Sequence, residues 1–208
     1  MNNIPSLDLN DFTEGQSSQR ADFVSALSLA YQEIGFVAIK NHLLSDELQK
    51  ELYNAVEKFF ALPDDIKSKY EKPNLFGQRG YIGKKKEHAK GRKVGDLKEF
   101  FHIGQERSAE MGYPENLWPS EVPELREIGT EAFNQLEKTG LILLQAIALS
   151  LKLEENYFDD KVRLGNSILR PIHYFPLTDE VVEPDAVRAA AHGDINLITL
   201  LMGASAAG

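Results

Sequence analysis

The chain has 208 residues, of which 42% are hydrophobic and 26% charged, enough for one sizeable globular core. Its formal net charge of −9 and sequence pI of about 5.1 make a surface that repels phosphate backbones and anionic lipid, so neither nucleic acid nor membrane is expected as a partner. With no cysteine, disulfides, thiolate metal sites and a cysteine nucleophile are excluded.

The chain opens "MNNIPSLDLNDF", with neither a basic n-region nor an apolar h-region, so a secretory signal is not expected and the cytoplasm is the default location. "IPSLDL" at 4–9 alternates apolar and polar residues as a short strand would. Residues 17–34 carry Phe23, Leu27, Ala30, Tyr31 and Ile34 at helical spacing, Gly35 supplies a stop, and "FVAIK" reads as a buried strand. Ser45 is placed to cap a following helix, "DELQKELYNAVEKFFAL", which ends at Pro63. His42, just upstream in "KNHLL", reads as a structural hydrogen-bonding residue.

"PDDIKSKYEK" reads as a short polar helix and "GQRGYIGKKK" as a glycine-rich loop. "GKKKEHAKGRK" at 83–93 holds seven basic residues in eleven, counting His88, and reads as a solvated loop. "DLKEFFHIG" predicts a strand, with Phe101 and Ile103 on one face and Phe100 and His102 on the other. Neither His88 nor His102 has ligand spacing, and both read as non-catalytic. Residues 124–153 form a long helix with an apolar stripe through Leu125, Ala132, Phe133, Leu136 and Leu143, a spine for a sheet to pack on. From Ser167 the period shifts towards two, and "SILRPIHYFPL" and "RAAAHGDINLITLLMG" both read as strands.

The second of these strands carries His192 and Asp194. On a strand, residues i and i+2 share a face with backbone anchors about 6.6 Å apart, so an imidazole and a carboxylate can converge on one divalent cation. Two ligands from one strand plus a distant histidine make the facial triad of non-haem Fe(II) oxygenases, which leaves positions open for a bidentate co-substrate and dioxygen. The triplet alone is a weak signal: His192 could equally be a satisfied sheet residue, with Asp194 starting a turn at Gly193.

Five stretches in order give it context: "IPSLDL", "GFVAIKNHLLSDELQKELYNAVEKFFALPDDIKSKY", "GYIGKKKEHAKGRKVGDLKEFFHIG", "SILRPIHYFP" and "AAAHGDINLITLL". Over nearly its whole length the sequence resembles the isopenicillin N synthase-like family of Fe(II)- and 2-oxoglutarate-dependent oxygenases, in its bacterial form. The resemblance implies an α+β fold: a helical N-terminal module over 1–153, then the first strands of a double-stranded β-helix (jelly roll) over 154–208, truncated. It implies Fe(II) as the metal, with His192 and Asp194 as its first two ligands, and 2-oxoglutarate as co-substrate. Arg170, His173 and Tyr174 fall where family members line the co-substrate and substrate pocket. The implied activity is oxidation of a small-molecule substrate by O2, releasing succinate and CO2. The distal histidine and the Arg-x-Ser that anchors the co-substrate carboxylate would lie beyond Gly208. Residues 1–208 alone are therefore expected to bind Fe(II) weakly, to lack oxygenase turnover, and to self-associate through unpaired strand edges. Two other readings stay open: an isopenicillin N synthase-type Fe(II) oxidase that does not use 2-oxoglutarate, and a non-catalytic interaction module.

Overall fold

A computed structural model describes residues 4–84, 86, 95–106, 108–177, 186–189, 193–194 and 196–203. The chain divides into two compact units, Met1–Asp46 with Asn134–Gly165, and Glu47–Phe133 with Asn166–Gly208.

In the first unit, strand β1 (Ser6–Asp8) pairs in parallel with β2 (Ala38–Lys40), and Leu7 stands opposite Ile39. Asp8 ends β1 by capping the short helix α1 (Leu9–Thr13): its carboxylate accepts from the Asn10 N–H at 3.0 Å and from the Asn41 amide at 2.7 Å. Helix α2 (Ser17–Glu33) buries Phe23, Leu27 and Ala30, as its spacing predicts. The Phe12 and Phe23 rings lie 5.5 Å apart, and the Arg20 guanidinium sits 4.3 Å over Phe12 while pairing with Glu155. Gly35, at φ +80°, donates its N–H to the Ala30 carbonyl and ends α2 in the left-handed conformation that glycine reaches without strain. The strand that follows is not buried. Ala38 and Lys40 are exposed and Ile39 half-buried, because β2 belongs to a two-stranded pair.

In the second unit, helix α3 (Asp46–Phe60) buries Leu52, Ala55, Phe59 and Phe60. Helix α4 (Asp64–Lys67) follows Pro63, where the sequence places a helix stop. Strand β4 (Glu99–Gly104) is the centre of the sheet, with all six residues buried. On one side it pairs antiparallel with β3 (Gly80–Ile82), and on the other with β5 (Ile168–Leu169) and β6 (Ile172–His173). β3 corrects the expectation of a loop over 77–86. Gly77 and Gly80 take positive φ as loop glycines do, but Tyr81 and Ile82 between the turns have a ready partner in β4.

β5 and β6 share one register, Ile103 opposite Leu169 and Glu99 opposite His173. Pro171 interrupts them because it has no N–H to give the ladder, although its carbonyl still accepts from the Phe101 N–H at 3.1 Å.

The long helix α5 (Glu124–Ser150) begins in this unit and buries Leu125, Ala132 and Phe133. A Cβ on its Gly129 would lie 2.8 Å from the Ile103 side chain, so the missing side chain lets helix and sheet approach closely. The spine reading therefore holds. The strand expected over 188–203 is not formed by the described residues there. Asp194 accepts instead from Thr199 Oγ1 at 2.6 Å, and the Asn196 amide donates to the Ile198 carbonyl at 2.6 Å. Such local side-chain bonds compete with a ladder where no neighbouring strand offers one.

Gly104 shows how tightly β4 is covered. A Cβ there would collide with the guanidinium carbon of Arg79, a residue itself only 1% exposed. Gly104→Ala must displace a buried arginine and is expected to cost about 3 kcal/mol in urea unfolding, the upper end of the usual cost of overpacking. Gly35→Ala meets no atom within 4 Å and strains only its own backbone, at about 1–2 kcal/mol. Equal losses in the two variants would mean that Arg79 does not press on Gly104.

Candidate functional site

β4 alternates, so its two faces build different groups. On one face stands Glu99, which is fully buried. Oε2 accepts from Lys67 Nζ of α4 at 2.8 Å and from the Tyr81 hydroxyl of β3 at 2.5 Å. Oε1 faces His173 Nδ1 of β6 at 2.8 Å. Lys67 is equally buried and also donates to the Phe60 carbonyl and pairs with Asp64 at 3.0 Å. The His173 ring stacks on Phe60 at 5.2 Å and is 37% exposed, the one partly exposed group among the three that bond to Glu99. Burial pushes the Glu99 carboxyl up, but the hydrogen bonds from Lys67, Tyr81 and His173 outweigh it and hold the group below the usual carboxylate value. Burial, and then the bond to Glu99, raises the Tyr81 phenol.

On the other face, His102 Nδ1 lies 2.6 Å from the Gly77 carbonyl, and Arg170 Nε donates to His102 Nε2 at 2.7 Å. A carbonyl only accepts and an arginine only donates, so His102 is neutral with its proton on Nδ1. Both ring nitrogens are engaged. Arg170 also lies 4.7 Å over the Phe100 ring. Beyond this face, Arg79 gives its guanidinium to the Gln78 carbonyl at 2.7 Å and to Asn166 at 2.9 Å, and burial pulls its pKa down.

Of the residues singled out from sequence, Arg170 and His173 thus hang from opposite faces of the sheet, and Tyr174 is 39% exposed just past the end of β6. Asp194 is exposed, and His192 and His88 lie outside the described residues. Among the described residues there is no group of three His, Asp or Glu able to hold a metal. The donor types, an imidazole and a carboxylate two residues apart in sequence, fit iron. The buried Nδ1 of His42 has no hydrogen-bond partner among the described residues. Glu99, Lys67 and Arg79 escape a reading of the sequence alone. For Glu99 a signal exists, a carboxylate inside the apolar run "EFFHI".

Residues 4–121 match the family model described as "non-haem dioxygenase in morphine synthesis N-terminal". The chain belongs to the non-haem, 2-oxoglutarate- and Fe(II)-dependent dioxygenase family. Curated relatives include the 2-oxoglutarate-dependent dioxygenase imqE of Aspergillus flavus, 30% identical over 95% of this chain and 62% of the relative. The proline hydroxylase buaE of Petromyces alliaceus is 31% identical over 99% of this chain and 66% of its own. A full-length Neurospora crassa protein, solved in complex with alpha-KG, superposes with a TM-score of 0.77 at 30% identity, covering 90% of this chain and 59% of that one. A 2OG-Fe(II) oxygenase family protein from Caulobacter crescentus gives 0.76 at 33% identity, covering 94% and 62%. The α+β architecture is thus that of the jelly-roll dioxygenases, and the chain spans less than two thirds of the length of these relatives. Among the described residues no helix is long and apolar enough to cross a membrane.

The buried pair of this dioxygenase chain sets a pH signature. With Glu99 held below its unfolded value, its stabilisation is present above the usual glutamate pKa and is lost as pH falls through the depressed folded value. Lys67→Met leaves the carboxylate without its cation, a loss of about 3–5 kcal/mol at neutral pH. Without Lys67, two of the influences that lower the Glu99 carboxyl are gone while burial remains, so its folded value moves up and the carboxylate loses stabilisation at neutral pH. The difference in urea midpoint between the unsubstituted chain and Lys67→Met should therefore narrow as pH falls from about 8 to 3, and a constant difference would separate Lys67 from Glu99.

Proposed function

We propose that this chain is part of an enzyme that oxidises a small-molecule substrate with O2 and 2-oxoglutarate, releasing succinate and CO2. The observation that carries the reading is the likeness, over 90% of the chain, to a structure solved with the co-substrate's own carbon skeleton bound. His192 and Asp194 would hold Fe(II), which when bound supplies the oxidising chemistry that side chains lack. Arg170, His173 and Tyr174 are assigned to the co-substrate and substrate pocket. Arg170 offers a cation whose Nε is already occupied by His102, and His173 an imidazole fixed by Glu99 and Phe60. Residues 1–153 are read as the family's N-terminal module and 154–208 as the opening of its catalytic core. The β4–β5 and β4–β6 ladders tie the two segments together. The acidic composition supports an enzyme without nucleic-acid or membrane partners, and the cytoplasm is the location assigned to it.

In an active preparation containing this sequence, Asp194→Ala removes an anionic ligand while leaving the buried core untouched. Fe(II)-dependent conversion of 2-oxoglutarate to succinate should fall to background with the thermal midpoint unchanged. Unaltered succinate release would withdraw Asp194 from the metal. Oxygen uptake without any succinate, in the unsubstituted protein, would assign the oxidase chemistry instead.

A further inference from the structure

Glu99 occupies an unusual position for a carboxylate. It is fully buried, it touches no solvent, and its one partly exposed neighbour is His173. Three elements supply its donors: Lys67 from α4, Tyr81 from β3 and His173 from β6. A carboxylate in that setting is ionised and accepts on both oxygens, so the nitrogen facing it must carry a proton. The Phe60 ring, stacked at 29° to the imidazole, fixes the plane of the ring. Further out on the same side are Asp64 and Lys84, which pair at 3.6 Å, and Lys84 lies over the Phe175 ring.

We propose that Glu99 is a positioning residue for His173: it holds the imidazole as the Nδ1–H tautomer, so that Nε2 is the atom that meets a ligand. The proposal rests on the reading of His173 as a pocket residue only for its functional meaning. The tautomer itself is a property of the ligand-free chain. Neutral His173 then offers an acceptor, suited to a ligand hydroxyl or N–H. A second proton can go only on Nε2, where it turns the same atom into a donor for a carboxylate. The contrast with His102 is direct, since His102 is the same tautomer but its Nε2 is taken by Arg170.

Glu99→Gln makes the test sharp. Lys67 has three donors and no acceptor, so the amide oxygen must stay towards Lys67 and the NH2 must face His173. His173 Nδ1 then has to accept, and the proton moves to Nε2. Nitrogen-15 NMR of the imidazoles distinguishes the two forms, with the protein containing this sequence held free of metal and co-substrate at about pH 8.5, some two units above the usual histidine value. His173→Gln assigns the resonances. In the unsubstituted chain Nδ1 should be the protonated, pyrrole-type nitrogen and Nε2 the pyridine-type one. In Glu99→Gln the two should exchange, and in Tyr81→Phe, which keeps Lys67 and the carboxylate, they should not. A protonated Nε2 or a rapidly averaging pair in the unsubstituted chain overturns the proposal, whether or not any variant folds. An unchanged tautomer in Glu99→Gln, or an inverted one in Tyr81→Phe, overturns it too. None of these readouts involves iron, 2-oxoglutarate or turnover, so the dioxygenase reading stands or falls separately.

Discussion

A carboxylate stripped of water must be given donors, and Glu99 draws its donors from three segments far apart in sequence. Lys67 lies 32 residues before it, Tyr81 18 before it, and His173 74 after it. Each bond fixes a different element against β4: helix α4, strand β3 and strand β6. Moving any of the three away would leave a buried negative charge undersupplied, a larger penalty than the loss of one ordinary hydrogen bond. The pair is no source of net stability compared with an apolar core of the same shape. What it does is discriminate, because few other arrangements of these segments satisfy the charge.

The same strand explains why the remaining register is fixed. β4 is buried on both faces, so a one-residue slip would carry Glu99 to the Phe100–His102 side, where Arg170 and the Gly77 carbonyl await an imidazole. The slip would also place a side chain where Arg79 lies across Gly104. Aromatic packing adds weight on the Glu99 side, where Phe59 meets Phe101 at 4.7 Å and Tyr81 at 5.9 Å. Polar groups on both faces thus specify the pairing, and the phenylalanines supply the burial.

Helix positions are legible in the sequence because they rest on local periodicity and local stops. The apolar spacing of α2, its end at Gly35 and the end of α3 ahead of Pro63 all survive in the structure. β4 is legible for a similar reason, since the two-residue period of a strand alone assigns Phe101 and Ile103 to one face and Phe100 and His102 to the other. β3 is not, since glycines on either side of Tyr81–Ile82 look like a loop until β4 supplies its partner. The exposure of β2 and the absence of a ladder in the described part of 188–203 are failures of the same kind. A strand is a relation between segments, and "INLITLL" shows only that a segment is able to enter one. Taken one residue at a time, "LRPIHYF" does not tell that Arg170 and His173 leave the sheet in opposite directions. The two-residue period is there to be used, but Pro171 between them obscures it.

That divergence separates two tasks that a single cluster would have mixed. On the Arg170 face the histidine is closed: His102 gives its proton to a carbonyl and receives one from a guanidinium, leaving no nitrogen for a ligand. On the Glu99 face the histidine is held by one nitrogen and a stacked ring, and more than a third of its side chain reaches solvent. Identical side chains on neighbouring strands therefore differ, through their partners alone, in which ring nitrogens are engaged. A buried carboxylate can leave its imidazole one working atom, whereas a guanidinium facing a second imidazole occupies the atom it touches. The cation that would otherwise compete for His173, Lys67, is already engaged on the far oxygen of Glu99. The ion pair and the open histidine are thus two consequences of one buried charge.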